Sequence, residues 1–422
     1  MQKSEPSEHE EKILRITKLI TNDFIKDRLI YHHTVAYLLQ NIFQDKLVHV
    51  SDINNTDIWY SYSPENHRWI RIHNFYRLCD TEFSVALFNL SIRYTFTNYY
   101  DTITEAIAHL KSVISDPLFF FDLKTLLIEK FHNPNFQYLK NTHLVLSCNN
   151  GIYDLNKLEL RSSNVRDYVT LSTRINYYVP HQNEIDGLFV FLSSLFTTPT
   201  NMNLFIKHLT KALYSGIIIK QDDISKSFML HRNENGLEPL ILRYQSGLSM
   251  KIIRKLISYS LGDYFAKFSS SDGKYSKDIF RNNDRTDTRS LRTMLKTSDI
   301  KEFIENKKVV SLKFVENLAT DARIMQAAYG LNTKCILEIS DFEYNVRRKN
   351  LDILTREKFN KYSVIDILPT SKERIDLERK EKVIDGKSSM LVKFTIGSAT
   401  ETYLRSMAPI FLHLILDCKR KV

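Results

Sequence analysis

Hydrophobic positions recur every three or four residues in the first part of the chain, between residues 11 and 44. Ile16 and Ile20 are examples of this spacing, which places apolar side chains on one face of a helix. The same periodicity returns between about residues 77 and 135 and again over residues 188–214. These three stretches are therefore predicted to be helical.

Runs of β-branched and aromatic residues around these helices are typical of short strands. The clearest case is a hairpin at Asn149-Asn150-Gly151, because Asn-Gly between two apolar runs is a strong turn signal. The strands predicted in this half of the chain are residues 47–50, 59–62, 69–72, 143–147, 152–155, 158–160 and 168–173.

The second half of the chain alternates strand-like and helix-like segments. A helix is predicted over residues 249–261. The predicted strands are residues 228–230, 240–244, 307–316, 334–340, 351–354 and 364–368. Because strands that alternate with helices indicate a sheet with parallel members, the predicted fold class is α/β, with an α+β arrangement in the N-terminal part.

The composition limits the kinds of site that the chain can carry. It has 59 Lys and Arg against 49 Asp and Glu, and this net charge of +10 favours polyanionic partners. Only 10 of 422 residues are glycine, so glycine-dependent phosphate loops and nucleophile elbows are expected to be few. The four cysteines stand far apart, which excludes the common zinc-finger spacings and argues against a disulfide framework. No metal site is expected.

Three motifs together resemble one known family. They are Trp59-Tyr60 with His67-Arg68-Trp69, the segment Cys148–Leu155 (CNNGIYDL) and the segment Leu256–Ala266 (LISYSLGDYFA). In this order they resemble motifs of the primase–helicases of large DNA viruses and mobile elements, of the poxvirus type. The resemblance implies a helicase-associated domain followed by a superfamily 3 helicase-like core, which is a P-loop ATPase with a central, mostly parallel sheet.

The resemblance also implies how the chain is divided. We predict a charged leader and first helix at residues 1–25, the helicase-associated domain at 26–200, the ATPase-like domain at 201–368 and a C-terminal extension at 369–422. A primase domain is not expected, because the chain has no Asp-x-Asp pair for two-metal nucleotidyl transfer.

The location expected for the protein follows from its polar ends and short apolar runs. The N-terminal residues are polar and charged, and the longest apolar stretches fall short of the roughly 20 residues of a spanning helix. We expect a soluble, intracellular protein without a membrane partner, in the host cytoplasm or nucleus if it is viral.

The expected nucleotide loop departs from its motif. A Walker A loop, GxxxxGK[ST], offers backbone amides to the phosphates, a lysine to the β and γ oxygens and a hydroxyl to Mg²⁺. In the family the lysine precedes the glycine of GDY by about twelve positions, which gives Met250 here. A shift of one residue makes Lys251 the lysine, with Ile252 at the hydroxyl position. The cofactor-binding candidates are therefore Gly247, Ser249, Met250 and Lys251, and neither register supplies a magnesium ligand.

Three further residues are catalytic candidates by resemblance. Glu316 closes the strand that resembles Walker B. Arg347 and Arg348 stand where the family has a basic pair that reaches the nucleotide of a neighbouring subunit. The alternatives are a solvated acid at a strand end for Glu316 and a basic surface turn for the two arginines.

A polar stretch at residues 269–300 is predicted to be a long exposed loop. Its cations, with Tyr275 and Phe280 among them, suit a nucleic-acid backbone, and counterion release then makes binding sensitive to salt. A solvated loop without a ligand is the alternative. The candidate DNA contacts are Lys274, Lys277, Arg281 and Arg285.

Three functions remain open on the sequence alone. The first is a non-catalytic or weakly active relative of a viral replication helicase, which binds DNA or joins an active helicase subunit in a homo- or hetero-oligomer. The second is an active ATP-dependent superfamily 3 DNA helicase, for which ATP and Mg²⁺ are the cofactors. The third is a structural or interaction protein on an inherited helicase fold. No cofactor is assigned under the first and third.

Overall fold

A computed structural model of the chain divides into two compact units. Unit 1 comprises residues 1–64, 68–140 and 164–170, and unit 2 comprises residues 65–67, 141–163 and 171–422. The structure describes residues 7–28, 30–51, 57–95, 100–136, 145–214, 240–244, 247–269, 307–313, 335–340, 363–368 and 398–418.

The described part of unit 1 combines helices with an antiparallel sheet. Its helices are α1 (Glu8–Asp27), α2 (His32–Phe43), α3 (Phe75–Tyr94), α4 (Tyr100–Ile114) and α5 (Pro117–Phe131). Its strands are β1 (Leu47–Ser51), β2 (Asp57–Ser63) and β3 (Arg68–Ile72). The strands pair in the order β1-β2-β3, and the helices bury their apolar faces in one core.

Helix ends in unit 1 follow the capping chemistry of the sequence. The Ser7 hydroxyl accepts a hydrogen bond from the Glu10 amide at 3.3 Å, and the Glu10 carboxylate accepts one from the Ser7 amide at 2.8 Å. Helix α5 begins at Asp116-Pro117, where the carboxylate accepts from the Leu118 amide at 3.0 Å and proline occupies the first helical position.

Unit 2 contains two sheets and several helices within the described residues. A small antiparallel sheet joins β4 (Val145–Cys148), β5 (Gly151–Asp154) and β6 (Glu159–Arg161). The larger sheet contains β7 (Leu240–Tyr244), β8 (Phe265–Ser269), β9 (Val309–Lys313), β10 (Cys335–Ser340) and β11 (Ser363–Ile367). The helices are α6 (Gln182–Ser193), α7 (Pro199–Tyr214), α8 (Gly247–Leu261) and α9 (Ser398–Asp417).

The larger sheet has the strand order β11-β7-β10-β9-β8, and every adjacent pair in it is parallel. Its core is formed with α7, α8 and α9, and α9 packs along α8. A 3-10 turn at Gly262–Tyr264 joins α8 to β8. Because connected parallel strands need crossovers, helices such as α8 cover the faces of the sheet.

The predicted mixed α/β fold is confirmed, and several elements lie where the sequence pattern predicts them. The Asn149-Asn150-Gly151 turn joins β4 to β5. One predicted strand is wrong, because residues 168–173 have no strand pairing and run as irregular backbone. Strand β8 was not predicted. The predicted strands at 228–230 and 351–354 lie outside the described residues.

In the part of the chain that the structure describes, no helix is long and apolar enough to cross a membrane.

Candidate nucleotide-binding site

The carboxyl edge of the five-stranded sheet is where a ligand of an α/β fold is expected. In such sheets ligands bind outside the carboxyl ends of the strands, where the strand order reverses. That point lies at β7. The chain passes from β7 to β8 at one edge of the sheet and returns through β9 to β10, which lies beside β7. It then adds β11 on the other side of β7. The connection from β7 to α8 is therefore the first place to examine.

The four predicted cofactor-binding residues all lie in the first turns of α8, which begins at Gly247. Met250 is 1% exposed and belongs to the hydrophobic core of unit 2. Ser249 is fully buried and Lys251 is half-buried. A methionine packed in the core supplies no charge to a phosphate, so Met250 does not replace the Walker A lysine chemically.

The start of α8 indicates a different register for the motif. In a P-loop the residues GK[ST] lead into the helix, and α8 opens with Gly247-Leu248-Ser249. In this register Leu248 replaces the lysine and Ser249 retains a hydroxyl. Counting back twelve positions from Gly262 places the lysine at Met250, two residues after Leu248. That count assumes a shorter helix between the loop and the GDY turn.

The connection between β7 and α8 is also shorter than the motif requires. With Gly247 as the second glycine of GxxxxG, the first glycine position is Leu242. Leu242 is fully buried in β7, and β7 pairs with both β10 and β11 as far as Tyr244. Two residues, 245 and 246, separate the strand from the helix. Three positions of a Walker A loop in this register, Leu242 to Tyr244, are engaged in the sheet, so the described residues of this register do not fit a bound nucleoside triphosphate with Mg²⁺.

A buried ion pair joins α8 to the sheet. The Arg254 guanidinium donates two hydrogen bonds to the Glu338 carboxylate of β10, one of them from Nε to Oε1 at 2.9 Å. Glu338 is fully buried and also accepts a hydrogen bond from the Ser311 hydroxyl of β9. Burial lowers the pKa of Arg254, but the Glu338 charge and hydrogen bonds outweigh it, so the pKa is raised. The guanidinium is therefore charged, and the pair with Glu338, which also accepts from Ser311, holds α8 on β10 and β9 together.

A second arginine near the connection is also paired. Arg243 in β7 donates from Nε to Asp366 Oδ1 at 2.5 Å and from a terminal nitrogen to Oδ2 at 2.8 Å. The two residues are register partners in the parallel pair β7–β11. This bidentate geometry directs the guanidinium at a carboxylate of the protein.

The GDY motif is an architectural turn. Gly262 has φ +51°, and a Cβ there would lie 2.5 Å from the carbonyl oxygens of Ser172 and Thr173. The Asp263 amide donates to the Ser172 carbonyl at 2.8 Å, and Asp263 Oδ1 lies 2.6 Å from a terminal nitrogen of Arg174. The GDY turn thus docks on the same irregular segment that the sequence pattern wrongly predicts as a strand.

Two buried lysines surround this turn. Lys307 Nζ donates to the Asp263 carbonyl at 2.6 Å, and Lys308 Nζ donates to the Leu213 carbonyl at the end of α7 at 2.9 Å. Burial lowers the pKa of Lys307 to about 8, although the Asp263 charge acts in the opposite direction. These contacts lie where β9 begins, at the sheet edge opposite to the β7–α8 connection.

The NNGIYDL motif also has an architectural role. The Asn150 side chain accepts from the Tyr177 amide at 2.9 Å and donates to the Tyr177 carbonyl at 2.8 Å. Asn149 donates from its side chain to the Arg174 carbonyl at 3.0 Å. Both asparagines fix backbone that is more than twenty residues away in the sequence. Sequence reasoning identified the turn but not its partner, because no local signal specifies which distant segment an asparagine will bind.

The other predicted site residues lie outside the described part of the chain. They are Glu316, Arg347, Arg348, Lys274, Lys277, Arg281 and Arg285. Among the described residues, no group of three or more His, Cys, Asp or Glu side chains is placed to hold a metal ion.

Comparison with known families gives one match. Residues 36–208 match the family model described as D5 N terminal like. Domains of this type are found in viral primase–helicase proteins, and the match covers less than half of the 422 residues. It contains two of the three motifs of the sequence resemblance, which is thereby confirmed for its N-terminal part. A comparison with curated proteins finds no match.

Proposed function

We propose that this protein is a non-hydrolysing relative of viral replication helicases, which acts in DNA replication by binding DNA or an active helicase subunit. The D5 N terminal like match over residues 36–208 supports a viral replication role. The observation that carries the proposal is the β7–α8 connection, with two residues between strand and helix and Leu248 where the motif has lysine. Loss of that lysine removes charge stabilisation from the β and γ phosphates.

Such a subunit still contributes to an oligomer of the superfamily 3 type. Under this proposal Arg347 or Arg348 acts on the nucleotide of a neighbouring active subunit, where an arginine stabilises charge on the transferred phosphoryl group. Glu316 then has no role in hydrolysis and is a solvated acid at the end of a strand. Lys274, Lys277, Arg281 and Arg285 are the proposed DNA contacts. The protein acts inside the host cell.

The proposal is tested by measuring ATP binding and hydrolysis of the purified full-length chain, with and without single-stranded DNA. We expect no hydrolysis above that of a Glu316→Ala control, because Leu248 stands where the motif has its lysine and Leu242, at the first glycine position, is buried in β7. DNA-stimulated hydrolysis that Glu316→Ala abolishes would contradict the proposal.

DNA binding is measured in the same preparations at several salt concentrations. Replacing Lys274, Lys277, Arg281 and Arg285 with alanine removes four proposed phosphate contacts. For single-stranded DNA we expect the slope of log affinity against log salt to decrease by up to about 2.8, at roughly 0.7 per contact. The matched control replaces Lys12, Arg15, Lys18 and Lys26 of α1 with alanine. It removes the same charge elsewhere, so the slope of log affinity against log salt should stay close to that of the unmodified chain.

One observation favours the second candidate, an active ATP-dependent DNA helicase. Ser249 retains a hydroxyl at the third position of α8, where the motif places its Mg²⁺ ligand. The hydrolysis measurement separates this candidate from the first. If the protein neither hydrolyses ATP nor binds DNA, it is a structural or interaction protein on an inherited fold.

A further inference from the structure

A histidine pair lies between the sheet of unit 1 and the end of α5. His49 in β1 is 1% exposed, and its Nδ1 lies 3.2 Å from Nδ1 of His132, the residue that follows α5. The two residues also form a parallel backbone bridge, and the Asn133 amide donates to the His49 carbonyl at 3.0 Å. Sequence reasoning missed this pair, because 83 positions separate the two histidines.

The opposite side of the His49 ring determines which nitrogen carries a proton. His49 Nε2 lies 3.0 Å from Asp57 Oδ1, and Lys124 Nζ donates to Asp57 Oδ2 at 2.5 Å. Burial raises the pKa of Asp57, but its hydrogen bonds to Lys124 and His49 outweigh burial, so the pKa is lowered and the carboxylate is ionised. Because a carboxylate only accepts, His49 Nε2 is the donor, and neutral His49 presents a bare Nδ1 to His132.

The bond between the two rings therefore tolerates one added proton but not two. With His49 neutral, His132 Nδ1 donates to His49 Nδ1. An added proton on Nε2 of His132, which is an exposed residue, leaves this bond intact. Protonation of both rings places a hydrogen on each facing Nδ1, and the two N–H groups then repel each other.

We propose that His49 and His132 form a proton-sensitive latch, which holds the segment 132–136 on β1 at neutral pH and releases it when both rings are protonated. The segment ends in Phe136, which is fully buried against Trp69 and Tyr60, with ring centroids 5.3 and 4.9 Å away. Release of the latch removes Phe136 from the small core around Trp69.

The charges around His49 set the direction of the response. Burial lowers the pKa of His49 below its usual 6.5, and the charges of His132 and Lys124 act the same way, while Asp57 opposes them. A histidine whose pKa is lowered by folding stabilises the fold above pH 6.5, and this contribution is lost as the pH falls. The latch is therefore closed at neutral pH and opens below about pH 6.5, with the open fraction rising about tenfold per pH unit for each proton taken up.

The two tryptophans of the chain make the test specific. Both are in unit 1: Trp59 lies 4.8 Å from His49 between ring centroids, and Trp69 contacts Phe136. The full-length chain is titrated from pH 7.5 to 5.0 while tryptophan emission and amide hydrogen exchange of residues 132–136 are measured. We expect one acid transition in emission, accompanied by faster exchange at Asn133 after correction for the intrinsic pH effect.

The decisive variant is His132→Asn, because the asparagine amide occupies the place of the Nδ1 edge and rotates to donate or accept. It bonds His49 in both protonation states, so we expect the acid transition to disappear. His109→Asn, at an exposed histidine of α4, is the matched control and should keep the transition. A transition of the same midpoint in His132→Asn would overturn the proposal. So would constant emission and exchange in the unmodified chain, a result that stands even if the variant fails to fold.

Discussion

Met250 is the single residue with the most direct bearing on ATP chemistry, since the family spacing places the Walker A lysine there. The side chain is 1% exposed in the core of unit 2. We expect Met250→Lys to lower the free energy of unfolding of unit 2 by about 3–5 kcal/mol, because an unpaired ammonium is buried. It should not create ATP hydrolysis. Hydrogen exchange in α8 and a phosphate-release assay measure the two effects.

Met250→Leu is the matched control for this change. The volumes are similar, so we expect a loss below about 1.5 kcal/mol. If Met250→Lys leaves hydrogen exchange in α8 unchanged and gives ATP turnover, position 250 faces a ligand. That result would contradict the packing of Met250 in the core.

At the scale of single residues, sequence reasoning succeeds where the signal is local. The Asn-Gly turn was predictable because its signal is local, and the missing magnesium ligand was visible in both registers considered. The burial of Met250 and the link between Asp263 and Arg174 were not predictable, because each depends on segments that are distant in the chain. The candidate residues Glu316, Arg347 and Arg348 stay predictions.

At the scale of the elements, the Arg254–Glu338 pair fixes α8 on the sheet. Removing one partner leaves the other as an uncompensated buried charge, so we expect Arg254→Met or Glu338→Leu to cost about 3–5 kcal/mol each. The double variant has no buried charge and a similar apolar volume, so its cost should be far below the sum of the two. Denaturant unfolding monitored by hydrogen exchange in α8 and β10 completes the cycle.

A matched pair of changes gives the comparison for this cycle. Arg15→Met and Glu11→Leu remove an exposed ion pair on α1 with the same chemistry. We expect a coupling of at most about 1 kcal/mol there, since exposed pairs contribute little. Additive costs at Arg254 and Glu338 would mean that the two charges do not depend on each other, contrary to the bidentate geometry.

Elements with a clear period were predictable, and the failures have physical causes. Helices α1 and α8 and strands β2, β7 and β10 follow from spacing and β-branched runs. The stretch 168–173 has the alternation of a strand but forms no ladder, because its backbone makes single hydrogen bonds to Trp69 of β3, to Ser147 of β4 and to the GDY turn. Alternating apolar residues indicate that a segment has one face compatible with a sheet. They do not show whether a partner strand pairs with it.

At the scale of the whole molecule, the two compact units are assembled from interleaved segments. Residues 141–163 and 171–214 belong to unit 2, whereas residues 164–170 belong to unit 1. This interleaving cannot be predicted from composition, because the chain crosses from one unit to the other without a Pro- or Gly-rich linker. The predicted domain limits therefore stay predictions.

The C-terminal helix provides the last prediction, at the scale of a whole unit. Helix α9 buries seven apolar side chains in unit 2: Leu404, Ala408, Ile410, Phe411, Leu412, Ile415 and Leu416. At roughly 1.5–3 kcal/mol for each large side chain, their loss is comparable to the entire stability of a typical domain, about 5–15 kcal/mol. We expect a chain truncated after residue 397 to lose hydrogen-exchange protection in α7 and α8.

Unit 1 should survive the truncation, because α9 contributes nothing to its core. The two tryptophans report on unit 1 alone, so tryptophan emission of the truncated chain at neutral pH should match that of the full chain. Glu401→Gln is the control, since it removes the α9 side of the partly exposed Lys255–Glu401 pair at a cost of at most about 1 kcal/mol. Retained protection of α8 in the truncated chain would show that the parallel sheet is stable without α9. Loss of tryptophan emission characteristic of the folded chain would show instead that the two units do not fold independently.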